Sequence, residues 1–157
     1  MQKIKKIIKK KNKSSIICLT AYSKNIASIL DKHCDIILVG DSLGSVLYNF
    51  KSTKEVTLEM MINHASSVKL GLIMNKTKCD AVKLEGGKKI IHIVKTLINN
   101  KIPVMGHLGI LPQTDKKFIF KGKKLTERYK ILQDAIALQN AGVFSIVLEC
   151  TEKNLSK

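Results

Sequence analysis

IILVGDSLGS, residues 36–45, runs four apolar residues into a glycine, an acid and a serine. A short apolar run rich in β-branched side chains predicts a buried strand. Gly, Asp and Ser are turn residues, so a tight turn is the plain reading of its end. A site is the sharper reading, because parallel α/β folds carry their chemistry at the carboxyl ends of strands. What stands at the other strand ends decides between the two.

Further apolar runs predict strands at 15–20, 81–85, 102–107 and 144–149, beside the one at 36–40. Helical periodicity fills the gaps. Ile26, Ile29 and Leu30 share a face behind Ser23 as N-cap. Thr57 precedes a helix whose expected buried face is Leu58, Met61, Ile62, Ala65 and Val68, with Glu59 suited to the dipole of its first turn. Ile90, Ile91, Val94, Leu97 and Ile98 mark a third helix ending near Asn99 and Asn100. A long basic loop leads to a fourth helix, at about 126–141, stopped by Gly142. Strand and helix in alternation predict a parallel α/β fold. Its strand ends carry Asp41 and Ser42, then Lys83 and Glu85, then His107, then Glu149. Four polar ends in succession are expected to line one mouth, which favours the site over the turn.

With 157 residues the chain fits one domain, 1–157, and can bury a core. Hydrophobic content of 45% and a mean hydropathy of +0.03 predict a soluble globular protein. No apolar run approaches the roughly 18–20 residues of a membrane span. A net charge of +16 suggests polyanions, but Arg128 is the single arginine among 28 basic residues and aromatics make up 4%. Arginine forks and stacking rings are what nucleic-acid recognition uses most. Lysine, isoleucine and asparagine also share codons made largely of A and T, so base composition accounts for the excess. Neither nucleic acid nor membrane is expected as a partner. At the N-terminus, Ile4, Ile7 and Ile8 predict a short amphipathic helix at about 2–12. The segment lacks the arginines of a transit peptide and the apolar stretch of a signal peptide, so a cytoplasmic location is expected. Cys18, Cys34, Cys79 and Cys150 show no metal-site spacing and are expected to be buried, reduced thiols.

LTAYS, ILVGDSLGS, KSTKEVTLEMM, AVKLEGG, PVMGHLGILPQ and SIVLECT follow one another from residue 19 to 151. Together they resemble the ketopantoate hydroxymethyltransferase family. The resemblance implies a magnesium-dependent (β/α)8 TIM barrel of the phosphoenolpyruvate/pyruvate type. It implies transfer of a hydroxymethyl group from 5,10-methylenetetrahydrofolate to 3-methyl-2-oxobutanoate, giving 2-dehydropantoate for pantothenate synthesis, by a cytoplasmic homo-oligomer. It implies Glu149 as general base, Asp41 and Glu85 as magnesium carboxylates, and Asp41, Ser42, Lys83 and His107 as substrate contacts, Lys83 on the carboxylate. His33, His64 and His92 are expected to serve surface or packing roles. The chemistry suits these types: magnesium prefers hard oxygen ligands, and a carboxylate can take the proton whose loss leaves an enolate.

The chain also departs from the family pattern. After residues 68–71 the family has a third strand ending in a magnesium-ligand aspartate; here residues 72–80 lead straight into the next strand. Seventh and eighth strands are expected to be missing beyond residue 157, since a full barrel takes about 250 residues. Ser23 replaces an aspartate, and the loop at 114–124 is shortened without the usual glycine pair. The expectation is an incomplete barrel with impaired activity. The alternatives are a non-catalytic remnant, an associating subunit of the same family, or, outside it, a lysine-rich anion-binding module.

Overall fold

The computed structural model describes residues 2–69, 80–115 and 119–155. The expected break after residue 71, Cys79 and part of the basic loop fall outside them. The chain divides into two units, Met1–Lys78 and Cys79–Lys157.

The first unit opens with α1 (Gln2–Lys9), which ends short of the expected residue 12. Strand β1 (Cys18–Thr20) pairs in parallel with β2 (Ile36–Leu38), Leu19 opposite Ile37. Between them runs α2 (Lys24–Leu30), capped by the Ser23 hydroxyl, which accepts from Ile26 N–H at 3.3 Å. The short helix α3 (Leu43–Leu47) begins straight after Asp41 and Ser42, an element that the sequence reading does not predict. Helix α4 (Leu58–Lys69) follows Thr57, whose hydroxyl accepts from Met60 N–H at 3.2 Å. Ala21, Ala27 and Val68 form the buried core, with Leu30, Ile37 and Val39 packed on it. The expected buried face of α4 is only partly buried. Val68 is enclosed and Met61 and Ala65 are half-buried, whereas Leu58 is 77% and Ile62 56% exposed. Periodicity tells which residues share a face; a two-stranded sheet and one seven-residue helix supply too little apolar surface to cover it.

Asp35 ties α1 to the start of the sheet. One carboxylate oxygen accepts from the Lys10 ammonium at 2.6 Å and the other from Ile17 N–H at 3.0 Å. The bond from Lys10 first, and then that from the Ile17 amide, hold the Asp35 carboxyl below the usual carboxylate range. A carboxyl lowered on folding stabilises above its unfolded pKa of about 3.9, and that contribution is lost as pH falls through the folded value. Asp35→Asn is therefore expected to be less stable than the parent at pH 7 and indistinguishable from it well below pH 3, as urea titrations at both pH values would show. A constant difference at both would refute the linkage.

In the second unit β3 (Val82–Glu85), β4 (Val104–Gly109) and β5 (Ser145–Glu149) form a parallel sheet with β4 in the centre. Helix α5 (Ile91–Asn99) connects β3 to β4, and α6 (Leu125–Ala141), closed by Gly142, precedes β5. The two helices pack on each other and on β4. Side chains alternate along a strand, and the alternation sorts the sheet into two faces. Val82, Leu84, Val104, Leu108, Ile146 and Leu148 join Val94, Ile131, Leu138 and Ala141 in the core beneath the helices. The odd-numbered polar residues Lys83, Glu85, His107 and Glu149 fall on the opposite face, at or near the carboxyl ends of their strands. The fold is thus α/β with parallel sheets, as expected, and all five strands fall at the expected places. The cysteines differ: Cys18 and Cys150 are exposed and Cys34 is half-buried. Cys18 begins one strand and Cys150 follows another, and strand ends on small sheets are open to water.

Candidate active site

Lys83 and Glu85 on β3, His107 on β4 and Glu149 on β5 stand on the sheet face away from the helices. Register brings them together. Glu85 lies opposite His107, and Glu149 lies opposite Gly109, two residues further along β4. His107 is the hub. It is 1% exposed, a buried polar side chain among the core residues. Its Nδ1 is 3.0 Å from Lys83 Nζ and 3.6 Å from Glu85 Oε1. Its Nε2 is 3.1 Å from Glu149 Oε2, a contact with the length of a hydrogen bond but not its alignment. Catalytic contacts are often loosely aligned before substrate is bound. The Glu149 side chain is 38% exposed, and so stands at the accessible edge of the group.

The loop after β4 closes one side. Gln113 N–H donates to Glu85 Oε2 at 3.2 Å. That turn is held by Asp115, whose carboxylate accepts from Leu111 N–H at 3.0 Å and meets Lys121 Nζ at 3.3 Å. The Leu111 amide foremost, then Lys121, lowers the Asp115 carboxyl despite its partial burial. Lys121 also bridges to Thr151 just beyond β5, donating its N–H to Cys150 O at 2.8 Å. Arg128 clamps the same corner, with Nε donating to Gly122 O at 2.8 Å and a terminal nitrogen 3.2 Å from Glu152. Sequence reading missed Gln113 and Arg128. The Gln113 contact is made by backbone, which no residue type announces, and Arg128 was weighed only as a nucleic-acid ligand. An open depression of about 360 Å³ is lined by Ile119, Phe120 and Lys121 among others; it contains none of the expected site residues.

Asp41 and Ser42 belong to the first unit. Both are half-buried at the carboxyl end of β2, where Asp41 O accepts from Gly44 N–H at 2.9 Å. The Ser42 hydroxyl shares a hydrogen bond with Tyr22 OH at 2.8 Å. The Tyr22 ring stands 6.4 Å from that of His64 on α4. In the sequence Tyr22 is part of LTAYS and nothing there gives it a role. Among the described residues no group of three His, Cys, Asp or Glu side chains could hold a metal. Magnesium prefers hard oxygen donors, and the carboxylates of Asp41 in the first unit and of Glu85 in the second are each of that type. No helix of the described residues is long and apolar enough to cross a membrane.

The chain matches the family model described as ketopantoate hydroxymethyltransferase over residues 1–73 and 69–157. It is 59% identical to the 3-methyl-2-oxobutanoate hydroxymethyltransferase of Pelagibacter ubique, over 99% of this chain and 71% of the relative. Identity is 40% with the enzyme of the same name from Agrobacterium fabrum, over 94% of this chain and 63% of the relative, and 39% with that of Anaplasma marginale, over 94% and 64%. The Pelagibacter alignment runs over 182 positions, more than the 157 residues of this chain, so the relative carries residues within the matched span that this chain lacks. On this evidence the chain belongs to the ketopantoate hydroxymethyltransferase family.

Proposed function

We propose that the chain performs the reaction for which its relatives are named. 3-Methyl-2-oxobutanoate gains a hydroxymethyl group, with 5,10-methylenetetrahydrofolate supplying the carbon and water the hydroxyl, to give 2-dehydropantoate and tetrahydrofolate. The observation that carries this reading is the group Lys83, Glu85, His107 and Glu149 on one sheet face, in a chain of this family. Glu149 is accessible and carries a carboxylate, and its role is to take the proton from C3 of the oxo-acid. Lys83 offers an ammonium to the substrate carboxylate. Ser42, held by Tyr22, is a further substrate contact, with Asp41 beside it. Asp41 and Glu85 would hold magnesium, which when bound favours the negative charge that develops on the oxo-acid. The Gln113 amide on Glu85 Oε2 fixes the direction of that carboxylate. The finer fold reading is a (β/α)8 barrel shortened within the matched span, in a cytoplasmic homo-oligomer.

The residues missing within the matched span favour a second reading, a non-catalytic remnant or an associating subunit. A magnesium carboxylate lost with them leaves two donors, and even supporting contacts around a metal are worth about 10–100-fold in affinity or activity. Purified chain with magnesium, the oxo-acid and 5,10-methylenetetrahydrofolate is expected to form 2-dehydropantoate at least about 10–100-fold more slowly than a full-length relative. A rate equal to the relative would show that the missing residues matter little. No product and no exchange of the C3 proton would favour the second reading.

A further inference from the structure

We infer that Asp115 is a positioning residue, which sets the turn after β4 so that the Gln113 N–H aims the Glu85 carboxylate. This rests on the reading of Glu85 as a magnesium carboxylate and deepens it, since it names the side chain that directs that carboxylate from outside the strands. Pro112 has a fixed φ and no N–H. The Thr114 and Asp115 N–H groups both donate to Leu111 O, at 2.9 and 2.8 Å. In return the Leu111 N–H donates to Asp115 Oδ2 at 3.0 Å. Residues 111 and 115 thus close the turn in both directions, and the Gln113 N–H at its tip donates to Glu85 Oε2 at 3.2 Å.

The same side chain anchors the turn to the far side of the sheet. Asp115 Oδ2 stands 3.3 Å from Lys121 Nζ. Lys121 is itself held by backbone on either side of Thr151: its N–H donates to Cys150 O at 2.8 Å, and its O accepts from Glu152 N–H at 3.0 Å. The turn that reaches over β3 is therefore tied, through one carboxylate oxygen, to the segment that follows β5. Glu85 ends β3, and a glutamate at a strand end has three side-chain torsions to fix. An N–H donated to a carboxylate is a charge-assisted bond, and such partners orient a carboxylate that ligates a metal. Without the Asp115 side chain, the Leu111 N–H and the Lys121 ammonium lose this acceptor, and the tip of the turn is released from Glu85.

The test is amide NMR of the full chain. The two prolines, Pro103 and Pro112, precede Val104 and Gln113, so carbonyl-labelled proline with nitrogen-labelled glutamine picks out the Gln113 amide by its bond to Pro112. Asp115→Ala is expected to move that signal in the direction in which Glu85→Gln moves it. It is also expected to speed exchange of the amide with solvent by about 10–100-fold, the worth of a hydrogen bond to a charged group. Asp115→Asn keeps an oxygen for the Leu111 N–H and is expected to restore most of the parental signal. If the alanine variant does not fold, Asp115→Glu, which displaces the carboxylate by one methylene, is expected to move the signal the same way by less. In exchange of the C3 proton of the oxo-acid, Asp115→Ala should raise the magnesium concentration at half-maximal rate by about 10–100-fold, and Asp115→Asn should bring it back. A Gln113 signal at the parental position in the alanine or glutamate variant, whatever stability is lost, would leave Asp115 a structural role only and overturn the proposal. So would a magnesium requirement raised by Glu85→Gln and unmoved by Asp115→Ala. The spectrum does not depend on turnover. The expected Gln113 signals, with a magnesium requirement unmoved by Glu85→Gln as well, would count against Glu85 as a magnesium carboxylate and leave its positioning through Asp115 standing.

Discussion

Glu149→Gln is expected to stop exchange of the C3 proton of 3-methyl-2-oxobutanoate, slowing it by about 10²–10⁴-fold, the usual worth of a positioned general base. Exchange is the sensitive measurement because it needs only the oxo-acid, a base and stabilisation of the charge left behind. It bypasses the folate and the carbon–carbon bond. Glutamine keeps the size, but its amide cannot take a proton. The fold should be untouched, since Glu149 is partly exposed and its backbone, not its side chain, accepts from Ile110 N–H. Proton NMR in deuterated water gives the rate directly, as the C3 signal fades. Exchange at the parental rate in the variant would remove Glu149 from the chemistry. Lys83→Met, by contrast, should raise the concentration of oxo-acid needed for half-maximal exchange, because it removes the partner of the substrate's carboxylate.

The strands were legible because each is a short apolar run with a polar residue or a glycine at its end, and nothing in the surroundings changed that. β1 begins three residues late, at Cys18, yet Ile17 O already accepts from Asp35 and Ile36 N–H, so the pairing starts nearly where the apolar run does. Leu58 and Ile62 misled because a helical stripe reports direction and not the presence of a partner layer. In the second unit the polar residues Lys83, Glu85, His107 and Glu149 could be read as strand ends. Their convergence on one mouth was expected, but which of them touch could not be read. Parity within a strand is written in the sequence, but parity between strands depends on register, and a slip of one residue would have turned His107 into the helix layer. The register that sets Glu85 against His107 and Gly109 against Glu149 is a property of the packed sheet. The ring's contacts with Lys83, Glu85 and Glu149 are therefore not legible in the sequence, where only the resemblance makes His107 a substrate contact.

Gly109→Ala is expected to destabilise the protein by about 2–5 kcal/mol and to displace Glu149 as it does so. Gly109 has a φ of 94°, in the left-handed region, where an L-residue costs about 1–2 kcal/mol. A Cβ there would overlap the Glu149 carbonyl and stand 2.8 Å from Thr151 Cγ2. The carbonyl is backbone, already engaged by Ile110 N–H at 3.0 Å, so it cannot turn aside as a flexible side chain would. Overfilling of this kind costs about 1–3 kcal/mol more. Against the 5–15 kcal/mol that hold a typical domain together, the sum is a large share. Gly106→Ala is the internal comparison. Its Cβ would press on Leu138 Cδ1 at 2.9 Å, on the helix side of the sheet, and a leucine tip can rotate away. That variant should lose less stability and keep the contact between His107 and Glu149. Urea denaturation gives the two stabilities, and C3 proton exchange at a temperature where both remain folded separates the site effect from the stability effect. Gly109→Ala matching Gly106→Ala in both would mean that the end of β5 yields easily, and that the close approach of β4 to the Glu149 carbonyl is not what fixes the base.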